Sequence, residues 1–281
     1  MENVIVFTPD RGNPCFSIDM LAVLAMAQLI EKPLTIARDH ILLKLRPGDS
    51  RAPEPGQFVN IKAAPGTDPL VRRPFSIFDY SDGIMEIVIR IVGRGTRLIG
   101  EFQAGANIDM LGPLGRGFSL IDGGRALLVG GGVGNAPLFY LARELKRRGT
   151  YVNFVYGART ADLIYCRERF ATAADELMVT TDDGSEGRGG YCTEAGCELL
   201  TGGTFDRVYI CGPTSMMAGM ARLTAGTDTP IEVSLENYFG CGVGLCSGCT
   251  VETVSGLKRA CVDGPVMDAR AVRWDSLPGG R

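Results

Sequence analysis

LLVGGGVGNAPLFYLAREL, Leu127 to Leu145, is an apolar run that breaks into glycines and resumes as a helix-period pattern. A buried strand, a glycine turn and a helix start is the arrangement that a phosphate group needs. Free N–H groups point outward there, and no side chain blocks a close approach. The glycine-rich turn itself spans Gly131, Gly132, Val133 and Gly134. A dinucleotide fingerprint would add an acid roughly 20 residues further on, at the end of the second strand. Tyr156-Gly157-Ala158-Arg159 stands there instead, so a related but different scheme is expected. Arg159 reads either as a partner for an adenosine phosphate or as a solvated loop residue.

Downstream, the apolar runs Val152 to Tyr156, Leu177 to Thr181, Val208 to Cys211 and Ile231 to Leu235 alternate with helical stretches. Together with Ala126 to Val129 they predict a parallel α/β sheet over 121–235. Cys211-Gly212-Pro213 closes the fourth of these strands, where ligands dock on open sheets. Cys211 reads equally as a group facing a nicotinamide or as a small buried thiol.

Upstream the grammar differs. Leu34 to Ala37, His40 to Leu45, Gln57 to Lys62, Ser76 to Tyr80 and Ile84 to Ile91 are short and β-rich, and Pro, Gly or Asp turns divide them. They predict a small antiparallel barrel over 34–120. Within it, Arg73-Pro74-Phe75-Ser76 offers a guanidinium fork for a pyrophosphate, a fixed approach, a flat apolar face and a hydroxyl for a ring nitrogen. The plainer reading is ordinary alternation along a strand. Gly93-Arg94-Gly95-Thr96 reads as a phosphate-receiving helix entrance or simply as a loop and N-cap.

Cys241, Cys246, Cys249 and Cys261 follow the sheet, in CGVGLCSGC and a later single cysteine. C-x4-C-x2-C with a distant fourth thiol is the plant-type 2Fe-2S spacing. Gly240, Gly242, Gly244 and Gly248 allow the sharp turns that aim N–H groups at sulfur. Zinc is the alternative, although its sites usually present paired C-x2-C units and only Cys246 and Cys249 form one. This module is expected over 236–268, with a hairpin turn near Ser255 and Gly256. The segment 269–281 reads as a loose tail, and 1–33 as an extension with a helix over Ile18 to Ile30. Cys15, Cys166, Cys192 and Cys197 have no ligand-like spacing.

The 281 residues carry a net charge of −3 with mixed signs, which points away from nucleic acid and anionic membranes. The apolar N-terminal stretch is short of the roughly 20 residues of a membrane span. With no secretory-type leader and an odd total of 9 Cys, disulfides are disfavoured and a reducing cytoplasm is expected. His40 is the single histidine and reads as structural, so histidine acid–base catalysis is not expected.

With RPFS, GxGT, GGGVGNAP, CGP and CGVGLCSGC in this order, the chain resembles the ferredoxin-reductase superfamily. Within it, the resemblance is to the electron-transfer subunits of the two-subunit, NAD-linked (B-type) dihydroorotate dehydrogenases, and it covers about Leu34 to Asp268. The resemblance implies FAD on the barrel, with Arg73, Pro74, Phe75 and Ser76 along the flavin and its diphosphate. It places Arg90, Ile91 and Val92 on the next strand, and Gly95 and Thr96 at the phosphate. It implies NAD on the α/β domain and a 2Fe-2S cluster on the four C-terminal cysteines. The implied partner is an FMN-containing catalytic subunit, in a heterotetramer of two plus two, serving pyrimidine biosynthesis. Electrons from dihydroorotate would pass from the partner's FMN through cluster and FAD to NAD. The alternatives are a related reductase subunit for a hydrogenase, a sulfide-linked system or ferredoxin:NAD(P) exchange, and a zinc-stabilised nucleotide-binding protein without redox turnover.

Overall fold

The computed structural model describes residues 24–48 and 50–279. The first eight strands are β1 (Leu24–Leu29), β2 (Leu34–Ala37), β3 (His40–Pro47), β4 (Phe58–Ile61), β5 (Arg73–Ser76), β6 (Asp79–Ser81), β7 (Ile84–Arg90) and β8 (Asn107–Leu114). They form one antiparallel sheet in the order β5-β4-β8-β1-β3-β7-β6, with β2 paired to β3. Helix α1 (Arg94–Gly100) follows β7. Period-2 alternation builds the barrel core: Ile41, Leu43 and Leu45 of β3 meet Met85, Ile87 and Ile89 of β7 inside it. Leu42 and Val88, one residue out of phase, join a second cluster with Phe139, Tyr165 and Phe170 of the following domain. Both faces of these strands are therefore covered.

Two expectations need correction here. Leu24–Leu29 is not helical but a strand, held between β3 and β8. Its Leu, Ala, Met and Gln are good helix formers. The pairing overrides that preference, because Ala27 and Leu29 enter the core while Met26 stays exposed. The barrel thus starts before residue 34; the rest of the expected helix, and Cys15, lie outside the described residues. The strand expected over Ser76 to Tyr80 is two strands, with Ile77 and Phe78 buried at the corner between β5 and β6.

The second sheet comprises β9 (Arg125–Gly131), β10 (Tyr151–Ala158), β11 (Glu176–Thr181), β12 (Arg188–Gly189), β13 (Arg207–Cys211) and β14 (Ile231–Ser234), all parallel. Helices α2 (Asn135–Arg147), α3 (Arg167–Ala173), α4 (Cys192–Gly202) and α5 (Thr214–Leu223) connect them. A hairpin, β15 (Thr250–Thr253) and β16 (Gly256–Arg259), precedes β17 (Val266–Asp268), which adds antiparallel to β14. Strand order is β12-β11-β10-β9-β13-β14-β17, so the direction of winding reverses beside β9. A crevice opens at such a switch point. Across the domain boundary Arg143 of α2 and Arg169 of α3 converge on Asp79 of β6, at 2.9 and 3.0 Å, which fixes the two domains against each other.

The expected loose tail is also corrected. Val272, Trp274 and Leu277 are buried in the core cluster that contains Ile210, Met217 and Val233. The Trp274 indole N–H donates to the Ala269 carbonyl at 2.9 Å, and Arg273 N–H to the Glu252 carbonyl at 2.9 Å. One large aromatic with a satisfied N–H is enough to anchor a segment rich in charge and glycine. Among the described residues no helix is long and apolar enough to cross a membrane.

Candidate cofactor cleft and metal centre

A cleft of about 450 Å³ opens at the switch point, with walls from all three parts of the chain. Arg73, Pro74, Phe75 and Ser76 of β5, with Arg90, Val92 and Thr96, form the barrel side. Val133, Gly134 and Cys211 form the side of the parallel sheet. Ten expected positions therefore meet around one space. Ile91, Gly95, Gly131, Gly132, Gly212 and Pro213 do not line it. Ile91 packs against the barrel core, and Pro213 precedes α5.

The glycines of the turn and of α1 serve close packing. A Cβ on Gly134 would lie 2.6 Å from the Cys211 carbonyl oxygen, and one on Gly131 2.4 Å from the Met216 sulfur. The glycine turn can thus lie directly on the Cys211-Gly212 strand end. Gly95 lies beneath the Arg73 guanidinium, 2.8 Å from Nε if a Cβ were added. Thr96 accepts the N–H groups of Val92 and Gly93 at 3.0 and 3.2 Å, closing the turn into α1.

Charge in the cleft is sparse and placed. Arg90 Nε is buried with no partner among the described residues, an orphaned donor of the sort that a bound ligand satisfies. Cys211 is buried, and desolvation pushes its thiol well above the ordinary range despite a bond from Ser234. It stays a neutral thiol, not a nucleophile. Glu236 stands at the mouth; desolvation by the surrounding walls raises its carboxyl pKa, and Arg90 opposes the rise. Phe58, Ser234, Glu236 and Phe239 also line the space and were not read from the sequence. Their only signal is position, since Ser234 ends the last parallel strand and Glu236 and Phe239 follow it.

No acid ends the second parallel strand, and two acids that follow the third lie beside its end. Asp182 and Asp183 follow β11, and their N–H groups donate to the carbonyls of Ala158 and Arg159 at 3.1 and 3.3 Å. Burial raises the Asp182 carboxyl pKa and Arg159 counters it, so the exposed Arg159 already faces a carboxylate.

The four C-terminal thiols stand as two pairs. Cys241 N–H donates to Cys246 Sγ at 3.4 Å and Cys246 N–H to Cys241 Sγ at 3.4 Å, while Cys261 N–H donates to Cys249 Sγ at 3.5 Å. Among the described residues no three His, Cys, Asp or Glu side chains converge on one ion position. Two thiols per iron is the division that a two-iron cluster uses, so the donor set fits 2Fe-2S. Burial alone would raise the Cys241 thiol. Donors from Cys246, Val243 and Leu245 bring it down to about 7. Cys261 is pushed up to about 12 by burial and by the adjoining Cys249. Cys249 and Cys261 are buried and Cys246 is exposed, so one pair faces the protein and the other reaches the surface. Left-handed φ values at Gly242, Gly244 and Ser247, of 76°, 81° and 54°, make the loop possible. Arg259 ties it to the hairpin by donating to the Gly244 carbonyl at 2.9 Å. Cys166, Cys192 and Cys197 are free thiols.

Residues 236–273 match the family described as the iron-sulfur cluster binding domain of dihydroorotate dehydrogenase B, and 128–222 match the oxidoreductase NAD-binding domain. The electron transfer subunit of dihydroorotate dehydrogenase B (NAD(+)) from Geobacillus thermodenitrificans is 43% identical over 78% of this chain and 86% of its own length. That from Desulforamulus reducens is 38% identical over 82% and 90%. A solved NADH-dependent reduced ferredoxin-NADP oxidoreductase, studied for flavin-based electron bifurcation, superposes with a TM-score of 0.81 at 36% identity, covering 89% of this chain and 91% of that one. With its half-barrel, α/β domain and cysteine module in this order, the chain belongs to the family of electron transfer subunits of dihydroorotate dehydrogenase B.

Proposed function

We propose that the chain carries electrons between a catalytic partner that oxidises dihydroorotate and NAD, and that it does not itself oxidise dihydroorotate. The carrying observation is the shared cleft: Phe75 of the barrel, Gly134 of the glycine turn and Phe239, two residues before Cys241, border one space. FAD, when bound there, exchanges a hydride pair with a nicotinamide and single electrons with an iron-sulfur centre.

The chain's own residues hold and screen these groups. Arg73 supplies a charge-assisted fork for the diphosphate, and Arg90 Nε the unmet donor on the next strand. Phe75 offers a face to the ring and Ser76 a hydroxyl to its edge. Gly131 to Gly134 receive the dinucleotide, with Cys211-Gly212-Pro213 behind the nicotinamide. The neutral Cys211 adds no charge to that position. Cys241, Cys246, Cys249 and Cys261 hold the cluster, and the exposed Cys246 marks where a partner approaches. The division of labour is a barrel for FAD beginning at β1, an α/β domain for NAD, and a cysteine module anchored by the 269–279 segment. The proposed assembly is two plus two with an FMN-containing catalytic subunit, in the cytoplasm.

Anaerobic purification tests the reading. The protein is expected to show flavin and iron-sulfur absorbance, and to oxidise NADH with ferricyanide. Dihydroorotate turnover should appear only when the FMN subunit is added. Turnover by this chain alone, or a colourless zinc protein, refutes it. The likeness to a ferredoxin-NADP oxidoreductase supports a second reading, a ferredoxin-type partner. Co-purification with a multi-cluster protein in place of an FMN subunit would favour it.

A further inference from the structure

Strand β4 faces two ways. Val59 and Ile61 are wholly buried in the barrel core, whereas Phe58 and Asn60, on the opposite face, meet the chain that enters the cysteine loop. Phe58 and Phe239 pack ring on ring with centroids 4.8 Å apart, and both wall the cleft. Two residues along, Asn60 Nδ2 donates to the Cys241 carbonyl at 3.4 Å. Gly242 presses on the same amide, since a Cβ there would lie 2.3 Å from Asn60 Nδ2. Asn60 is 0% exposed, and its Oδ1 has no partner among the described residues. Barrel stability alone does not call for a buried amide between Val59 and Ile61, because an apolar residue would fill the place without an unmet acceptor.

We propose that Asn60 is a positioning residue for electron passage: it holds the Cys241-Gly242 peptide against the strand that also carries the cleft wall, and thereby sets the cluster's potential. The inference rests on the function proposed above. The physical route runs through sulfur. Val243, Leu245 and Cys246 donate N–H bonds to Cys241 Sγ at 3.5, 3.2 and 3.4 Å. Donors aimed at a ligand sulfur favour the more negative, reduced form and raise the potential. With its carbonyl released, the peptide is free to turn, those bonds lengthen, and the cluster becomes harder to reduce.

The test uses the full-length protein carrying Asn60→Leu, close in volume, and Asn60→Ser, which keeps a hydroxyl. Iron and flavin contents, the cluster's EPR spectrum and its midpoint potential are compared with wild type. The rate of flavin reduction by NADH is followed separately. Expected are retained iron and flavin, and a flavin reduction rate within about twofold of wild type. The cluster–flavin electron equilibrium should shift at least tenfold away from the reduced cluster, which is 59 mV for one electron. Asn60→Ser should shift less than Asn60→Leu. An unchanged potential and EPR spectrum in Asn60→Leu with iron retained overturns the inference. So does joint loss of flavin and iron in both variants, which would make Asn60 merely a fold residue. A wild-type chain holding neither group overturns instead the function on which the inference rests.

Discussion

Gly95→Ala isolates the flavin-binding role of Arg73 without touching Arg73 itself. Gly95 lies inside α1 with no left-handed φ, so alanine costs no backbone strain and helix propensity favours it by up to about 1 kcal/mol. The new Cβ would stand 2.8 Å from Arg73 Nε and 3.2 Å from its Cζ and Nη2. Those atoms end a flexible side chain, so the guanidinium swings away and the fold stays intact. Each charge-assisted bond lost is worth about 1.5–3 kcal/mol. Losing one corresponds to a Kd for FAD roughly 10- to 150-fold higher. Calorimetric titration of flavin-free protein reads that change, and a melt of the same flavin-free protein shows whether folding is spared. Arg73→Ala supplies the second arm. In that background Gly95→Ala should add less than about 0.5 kcal/mol, because its target is gone. If Arg73→Ala binds FAD within twofold of wild type, Arg73 does not hold the diphosphate; if the two effects add in full, Gly95→Ala does not act through Arg73.

Four further outcomes follow from the same geometry. Cys246→Ser should bleach the iron-sulfur absorbance while FAD stays bound, since the exposed Cys246 lies outside the cleft walls; simultaneous flavin loss would contradict the separate placement. Burial lowers the pKa of His40 below its ordinary 6.5, so the folded chain keeps it neutral while the unfolded chain takes up a proton. Its contribution is complete above pH about 6.5 and falls as pH drops, by at most about 1.4 kcal/mol per pH unit; urea melts between pH 5 and 7.5 should show a flatter profile in His40→Gln. With Asp182 and Asp183 beside Arg159, NADH is favoured over NADPH, and replacing both acids with alanine should narrow the ratio of kcat/KM by roughly tenfold, about 1.4 kcal/mol. Trp274→Ala should lower stability by about 3–5 kcal/mol, where a loose tail would give almost no change in a thermal melt.

What was legible in the sequence was local. The strand, glycine turn and helix of 127–145 need only neighbouring residues, and their physical signs survive in any context. The cysteine spacing is equally self-contained. Leu24–Leu29 was not legible, because its preference is helical and its strand character comes from partners about 20 and 85 residues away. The 269–279 segment looks like a tail for a related reason: one tryptophan carries the anchoring, while the composition around it is polar and rich in glycine. Phe58 and Asn60 gave no signal, since a Phe or Asn in a short strand looks the same whether or not a cysteine loop lies across it. Asp182 gave no signal either, since it reaches the end of the second strand only because β10 and β11 are parallel neighbours.

Eleven residues separate Cys249 from Cys261, and the hairpin shows why so short a connection suffices. Thr250 pairs with Arg259 and Thr253 with Gly256, and the Ala260 N–H donates to the Cys249 carbonyl at 3.0 Å. Antiparallel register therefore brings Cys249 and the residue before Cys261 together at the base of the arm. The tip, at Val254 and Ser255, has no part in placing the thiols. Adding or removing one residue from each strand moves the tip and leaves the base unchanged, whereas a single insertion flips every side chain beyond it. The distance between these two cysteines along the chain is thus free in steps of two, while their distance in space is fixed. A sequence count alone cannot separate those two quantities, but the register can.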